Sequence, residues 1–87
     1  MKYIADSSFI IGLLVDEPRT RTAKDIYHRL KKNREKVCIP DRTIVEVVYV
    51  LEKFYKLKRD KVADYIRAIL DTYIFIVERY EMYYEVM

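Results

Sequence analysis

The sequence predicts an α/β fold made as a single domain over residues 1–87. Three observations predict it. Short apolar runs at residues 3–5, 37–39 and 74–77 have the length and flanks of buried strands. The segments between them carry apolar residues at helical spacing, with charges on the remaining positions. Strands and helices alternate along the chain, an order that favours a parallel sheet and disfavours a purely helical DNA-binding module. About three parallel strands and about five helices are expected.

The first run, Tyr3-Ile4-Ala5, stops at Asp6, and Ser7-Ser8 open a second apolar stretch, so a strand passes directly into a helix. Asp6 stands at that join. One reading makes it the helix N-cap, a task that short oxygen-bearing side chains perform. The other places it beyond the carboxyl end of a parallel strand, where such sheets collect ligands. Asp16-Glu17-Pro18 forms a loop close to this join, its acids either solvated or outer neighbours of a metal. In residues 20–32, Ala23, Ile26, Tyr27 and Leu30 make one helical stripe and leave the basic side chains on the other faces. His28 flanks that stripe without a Cys or acid at metal-ligand spacing, and reads as a surface or boundary residue.

Pro40 closes the second strand. Thr43 and Glu46 then have the spacing of a capping box, and Ile44, Val47, Val48, Leu51 and Phe54 follow a helical stripe. Val45, Tyr49 and Val50 lie off the stripe, so this helix is expected to be covered on several sides, with Glu46 the one charge between residues 44 and 51. A desolvated, unpaired carboxylate costs about 3 to 5 kcal/mol, so Glu46 is read either as the capping-box partner or as a metal ligand. After a basic link at residues 56–59, Asp60 caps a helix carrying Val62, Ala63, Tyr65, Ile66, Ile69 and Leu70. From Glu78 onward Tyr80, Tyr83, Tyr84 and Met87 share a helical face opposite Glu78, Glu81 and Glu85, and serve packing or an interface.

With 52% apolar and 36% charged residues the chain has a globular composition, yet its size buries only roughly 60–65% of the unfolded surface. No apolar run approaches a membrane span, and the start lacks the apolar core of a signal peptide. A lone Cys38, unable to pair internally and read as a small core residue, agrees with a cytoplasmic setting. Abundant charge and tyrosine, no glutamine and a single asparagine resemble thermophile usage. Gly12 is the only glycine, which excludes a glycine-rich phosphate loop. The net charge of +3 hides a concentration in residues 19–36, where eight basic residues face only Asp25 and Glu35. That block either holds the phosphates of a nucleic acid or is a solvated helix face.

Taken together, Tyr3-Ile4-Ala5-Asp6-Ser7-Ser8-Phe9-Ile10-Ile11, the pair Ile39-Pro40 followed by Thr43-Ile44-Val45-Glu46, and the order of elements resemble the PIN domain family. The resemblance is closest to the VapC-like toxins of toxin–antitoxin pairs. It implies a three-layer α/β/α sandwich, incomplete in this chain, and a ribonuclease that uses Mg²⁺ or Mn²⁺. By that resemblance Asp6 and Glu46 are catalytic metal ligands and Ser8 is the hydroxyl that supports them. Arg19, Arg21, Lys24, Lys31 and Lys32 are then the residues expected to hold RNA.

The family's later acids have no counterpart before Met87, and Asp71, Glu78, Glu81 and Glu85 do not stand in their motif. The expected consequence is either a site completed by another polypeptide or a weak metal site without catalysis. An open edge on the first strand leads us to expect a homodimer or larger assembly, with the aromatic terminal helix at its interface. Two functional expectations follow. One is a metal-dependent endoribonuclease toxin with an antitoxin protein and RNA as partners and no membrane. The other is a non-catalytic remnant that dimerises and binds RNA or an antitoxin.

Overall fold

The computed structural model describes residues 3–78. Its elements run β1 (Tyr3–Ile4), α1 (Ser7–Leu14), α2 (Thr20–Lys32), β2 (Val37–Pro40), α3 (Asp41–Lys53), α4 (Arg59–Leu70) and β3 (Phe75–Glu78). The three strands form one parallel sheet in the order β1-β2-β3, which leaves β1 on an edge among the described residues. This is the α/β class expected from the alternation of strands and helices. Glu78 closes β3 instead of opening a helix; the rest of that expected helix lies outside the described residues.

Register decides which side of each strand is buried, because successive side chains alternate between faces. Tyr3, Val37 and Phe75 form one row across the sheet, and Ile4, Cys38 and Ile76 form the next. Val37, Ile39 and Phe75 join a single core with Ile10 and Ile11 of α1, Val47 and Leu51 of α3, and Val62 and Ile69 of α4. Phe9 and Tyr27 pack against Phe75, with ring centroids 6.4 and 6.1 Å apart. On the other face Ile4 is 71% and Ile76 41% exposed. All four described helices thus contribute to the face that carries Phe75.

Local chemistry explains most element boundaries. Helix α1 lies so close to α2 that a Cβ added at Gly12 would stand 3.0 Å from the Cβ of Ala23. Helix α2 ends at Asn33, and Arg34 takes a left-handed φ of 56°. The Glu35 N–H donates to Leu30 O and the Arg34 N–H to Lys31 O, which closes the last turn in the Schellman arrangement usually built on glycine. Before β2, Lys36 places its ammonium 3.2 Å from the centre of the Tyr73 ring and donates to the Tyr73 carbonyl at 3.0 Å. This tie joins the amino ends of β2 and β3, next to the Val37 N–H bond to Ile74 O.

Two helix starts differ from the sequence reading. Helix α3 begins at Asp41, with extended Pro40 as its N-cap, so Thr43 and Glu46 form no capping box. Proline's fixed φ suits this entry, and Asp41 in the first turn faces the positive end of the helix dipole. Helix α4 begins at Arg59 behind Lys58, which puts Asp60 inside the first turn and not at the cap. Only part of the expected cover over α3 is present either. Thr43, Val47 and Leu51 are buried, whereas Val45, Tyr49 and Phe54 are exposed. The β-branched residues of α3 are poor helix formers, and the burial of one stripe outweighs that preference.

Candidate functional site

At the carboxyl end of β1 the chain turns directly into α1, and Asp6 is the residue at the turn. It is exposed, and its Oδ1 accepts a hydrogen bond from the Phe9 N–H at 2.9 Å. The cap reading therefore holds, and it commits one carboxylate oxygen. Ala5, just before it, is fixed on both sides. Its N–H donates to Cys38 O at 2.9 Å, and its carbonyl accepts from the Thr43 hydroxyl at 3.3 Å. Thr43 is buried in the first turn of α3, and Glu46 follows one turn later along the same side of that helix. Glu46 is exposed, so the expectation of a carboxylate hidden among apolar side chains does not hold.

Ser8 meets an unexpected partner. Its hydroxyl accepts from Arg19 Nη1 at 3.0 Å. The loop that carries Arg19 is cross-tied: the Glu17 N–H donates to Thr20 Oγ1, Thr20 Oγ1 donates to Val15 O, and the Arg19 N–H donates to Glu17 Oε1. Asp6, Ser8 and Arg19 are thereby gathered around the first turn of α1. Arg21, Lys24, Lys31 and Lys32 are exposed along α2. Lys31 and Lys32 belong to its last turn, where cations also offset the helix dipole. At about 1.5 Å per residue, they stand roughly 18 Å along the helix from Arg19. The five basic residues therefore do not make one cluster.

Two neighbouring grooves link these groups. One is lined by Tyr3, Ile4, Asp6, Phe9, Ile26 and Leu30, the other by Ser8, Phe9, Pro18, Arg19, Thr22 and Ile26. Phe9 and Ile26 are common to both. Among the described residues no group of three or more His, Cys, Asp or Glu is placed to hold a metal ion. Asp6 and Glu46 nonetheless suit a hard cation in kind, since Mg²⁺ is commonly held through one or two carboxylates and completes its shell with water and phosphate oxygens.

A parallel sheet with acids at its carboxyl end is shared by several families, so kinship rests on sequence. A family model described as PIN domain matches residues 3–87. The chain belongs to the PIN domain family. This PIN domain is similar to a VapC ribonuclease of Aquifex aeolicus (strain VF5), at 30% identity over 78 residues. The alignment covers 90% of this chain and 58% of that relative. The PIN domain described here thus spans little more than half the length of the curated relative. No solved structure matches it. Within the domain, pattern and spacing drew attention to Asp6 and Glu46, but nothing local in the sequence signals the Thr43 tie to Ala5 or the Ser8 tie to Arg19.

Proposed function

We propose that this PIN domain is an endoribonuclease of the toxin–antitoxin type, cutting RNA with one Mg²⁺ or Mn²⁺ ion held by Asp6 and Glu46. One observation carries the reading: the Thr43 bond to Ala5 draws the helix bearing Glu46 against the residue next to Asp6, at the carboxyl end of the sheet. Two carboxylates balance the charge of one divalent ion, which when bound supplies an activated water and polarises a phosphoryl oxygen. Asp6 serves this role with the oxygen left over from its cap. Glu46 is exposed, so its carboxylate is open to an ion from solvent. The basic residues at 19, 21, 24, 31 and 32 attract the RNA backbone.

The proposed partners are an antitoxin protein and a second copy of the chain, in the cytoplasm. Among the described residues β1 lies at the sheet edge, and the exposed Ile4 on it offers apolar surface for such association. No described helix is long and apolar enough to cross a membrane. The lack of a third acidic ligand among the described residues favours a second reading, a dimerising module that binds RNA or an antitoxin without cutting. The test is cleavage of single-stranded RNA by purified protein with Mg²⁺, with Mn²⁺ and with chelator, beside Asp6→Asn and Glu46→Gln. Metal-dependent cleavage lost in both variants supports the nuclease; cleavage no greater than in the variants selects the binding module.

A further inference from the structure

We infer that Arg19 is a positioning residue for the RNA backbone, held in place by Ser8, and that its role differs in kind from that of the other basic residues. This inference deepens the RNA-directed reading above and rests on it. Arg19 is fixed at both ends. Its N–H is held by Glu17 Oε1 at 3.2 Å, its carbonyl receives the Ala23 N–H at 2.9 Å, and its guanidinium donates to Ser8 at 3.0 Å. Pro18 precedes it, and Thr20 ties the loop back to Val15. By contrast, no hydrogen bond or ion pair joins the side chains of Arg21, Lys24, Lys31 or Lys32 to other described residues.

A guanidinium has five N–H donors, so one bond to Ser8 leaves a fork free for a phosphate. Because Ser8 already restrains the side chain, less rotamer freedom is lost when that phosphate arrives. Ser8 lies two residues beyond Asp6, on the same helical turn that Asp6 caps. Grooves lined by Asp6 and by Arg19 share Phe9 and Ile26 in their linings. A single RNA strand can therefore present one phosphate near Asp6 and a neighbouring one to Arg19, with Phe9 and Ile26 between them. The charge of the adjoining helix favours RNA as the occupant: α2 with its cap carries Arg19, Arg21, Lys24, Arg29, Lys31 and Lys32 against Asp25 alone, and Arg19 is the one that lines the groove.

The experiment measures binding of an unstructured RNA oligonucleotide in chelator, as a function of salt, together with cleavage in Mg²⁺ and Mn²⁺. Arg19→Gln is expected to lower the salt slope by about 0.7, the value of one single-strand phosphate contact. If the wild type cleaves, the same change lowers kcat roughly tenfold to a hundredfold. Ser8→Ala should reproduce part of each loss and add nothing in the Arg19→Gln background, whereas Ser8→Thr restores binding. Lys32→Gln should lower the slope and remain additive with Ser8→Ala. Arg19→Lys should retain the slope but not the cleavage rate. Circular dichroism checks folding of every variant. Additive effects of Ser8→Ala and Arg19→Gln on RNA binding would overturn the positioning role while leaving the RNA-directed reading intact. Absence of RNA binding by the wild type in both assays would overturn both.

Discussion

Thr43 and Ala5, separated by 38 positions, are joined by a buried hydrogen bond from the Thr43 hydroxyl to the Ala5 carbonyl. It binds the first turn of α3 to the strand end that carries Asp6. Thr43→Val keeps the side chain's shape, removes the donor and leaves that carbonyl without its partner. A loss of about 1 kcal/mol is expected, seen as a fall in Tm of roughly 4–8 °C. Thr43→Ser should recover most of it. Any metal-dependent RNA cleavage should decline in Thr43→Val although both acids are intact, because the direct tie between the first turn of α3 and the strand end before Asp6 is lost.

Asp6 caps α1, and in the proposed nuclease it also holds the metal ion; substitution can separate the two. Asparagine is as good an N-cap as aspartate, so Asp6→Asn should melt within a few tenths of a kcal/mol of the wild type. Asp6→Ala removes the acceptor for the Phe9 N–H and should cost about 1 kcal/mol. Both variants should lack RNA cleavage. Thermal melts beside the cleavage assay distinguish the lost cap from the lost ligand.

The same division explains what the sequence made legible. The strand-to-helix join at Asp6 is local: an apolar run, an acid, two serines and a new apolar stripe all lie within one short stretch. Three parallel strands and the helix order were readable for that reason. Thr43 and Glu46 misled because capping-box spacing also occurs inside a helix that has already begun, here two residues earlier behind Pro40. The surroundings of Glu46 were not readable, because a helical stripe says which residues share a face and not which neighbours cover it. Ser8 and Arg19 are 11 positions apart across a loop, and no periodicity encodes that pairing.

At Gly12 the helices themselves set the limit. An added Cβ would meet the Ala23 Cβ at 3.0 Å and Glu17 Oε1 at 3.4 Å. Overpacking of this kind costs about 1 to 3 kcal/mol, against a helix-propensity gain of about 1 kcal/mol from alanine. Gly12→Ala should therefore be neutral to destabilising by about 2 kcal/mol. Its cost should shrink measurably in an Ala23→Gly background. Urea unfolding of the four proteins in this cycle measures the coupling.

Arg34 offers a gain. Its left-handed backbone at φ 56° is strained for a residue with a Cβ. Arg34→Gly should relieve that strain and stabilise the domain by roughly 1 kcal/mol after the extra chain entropy is counted. A rise in Tm in thermal unfolding is the expected outcome.

The contact of Lys36 with Tyr73 sits at the opposite pole of the sheet from Asp6, before the strands begin. The alignment of β2 with β3 is thus anchored at one pole, while Asp6, to which the proposed function assigns the metal, occupies the other. Such a division lets mutation act on the two poles separately. A lineage that lost the acids at the other pole would keep the anchor, and with it a domain still able to fold.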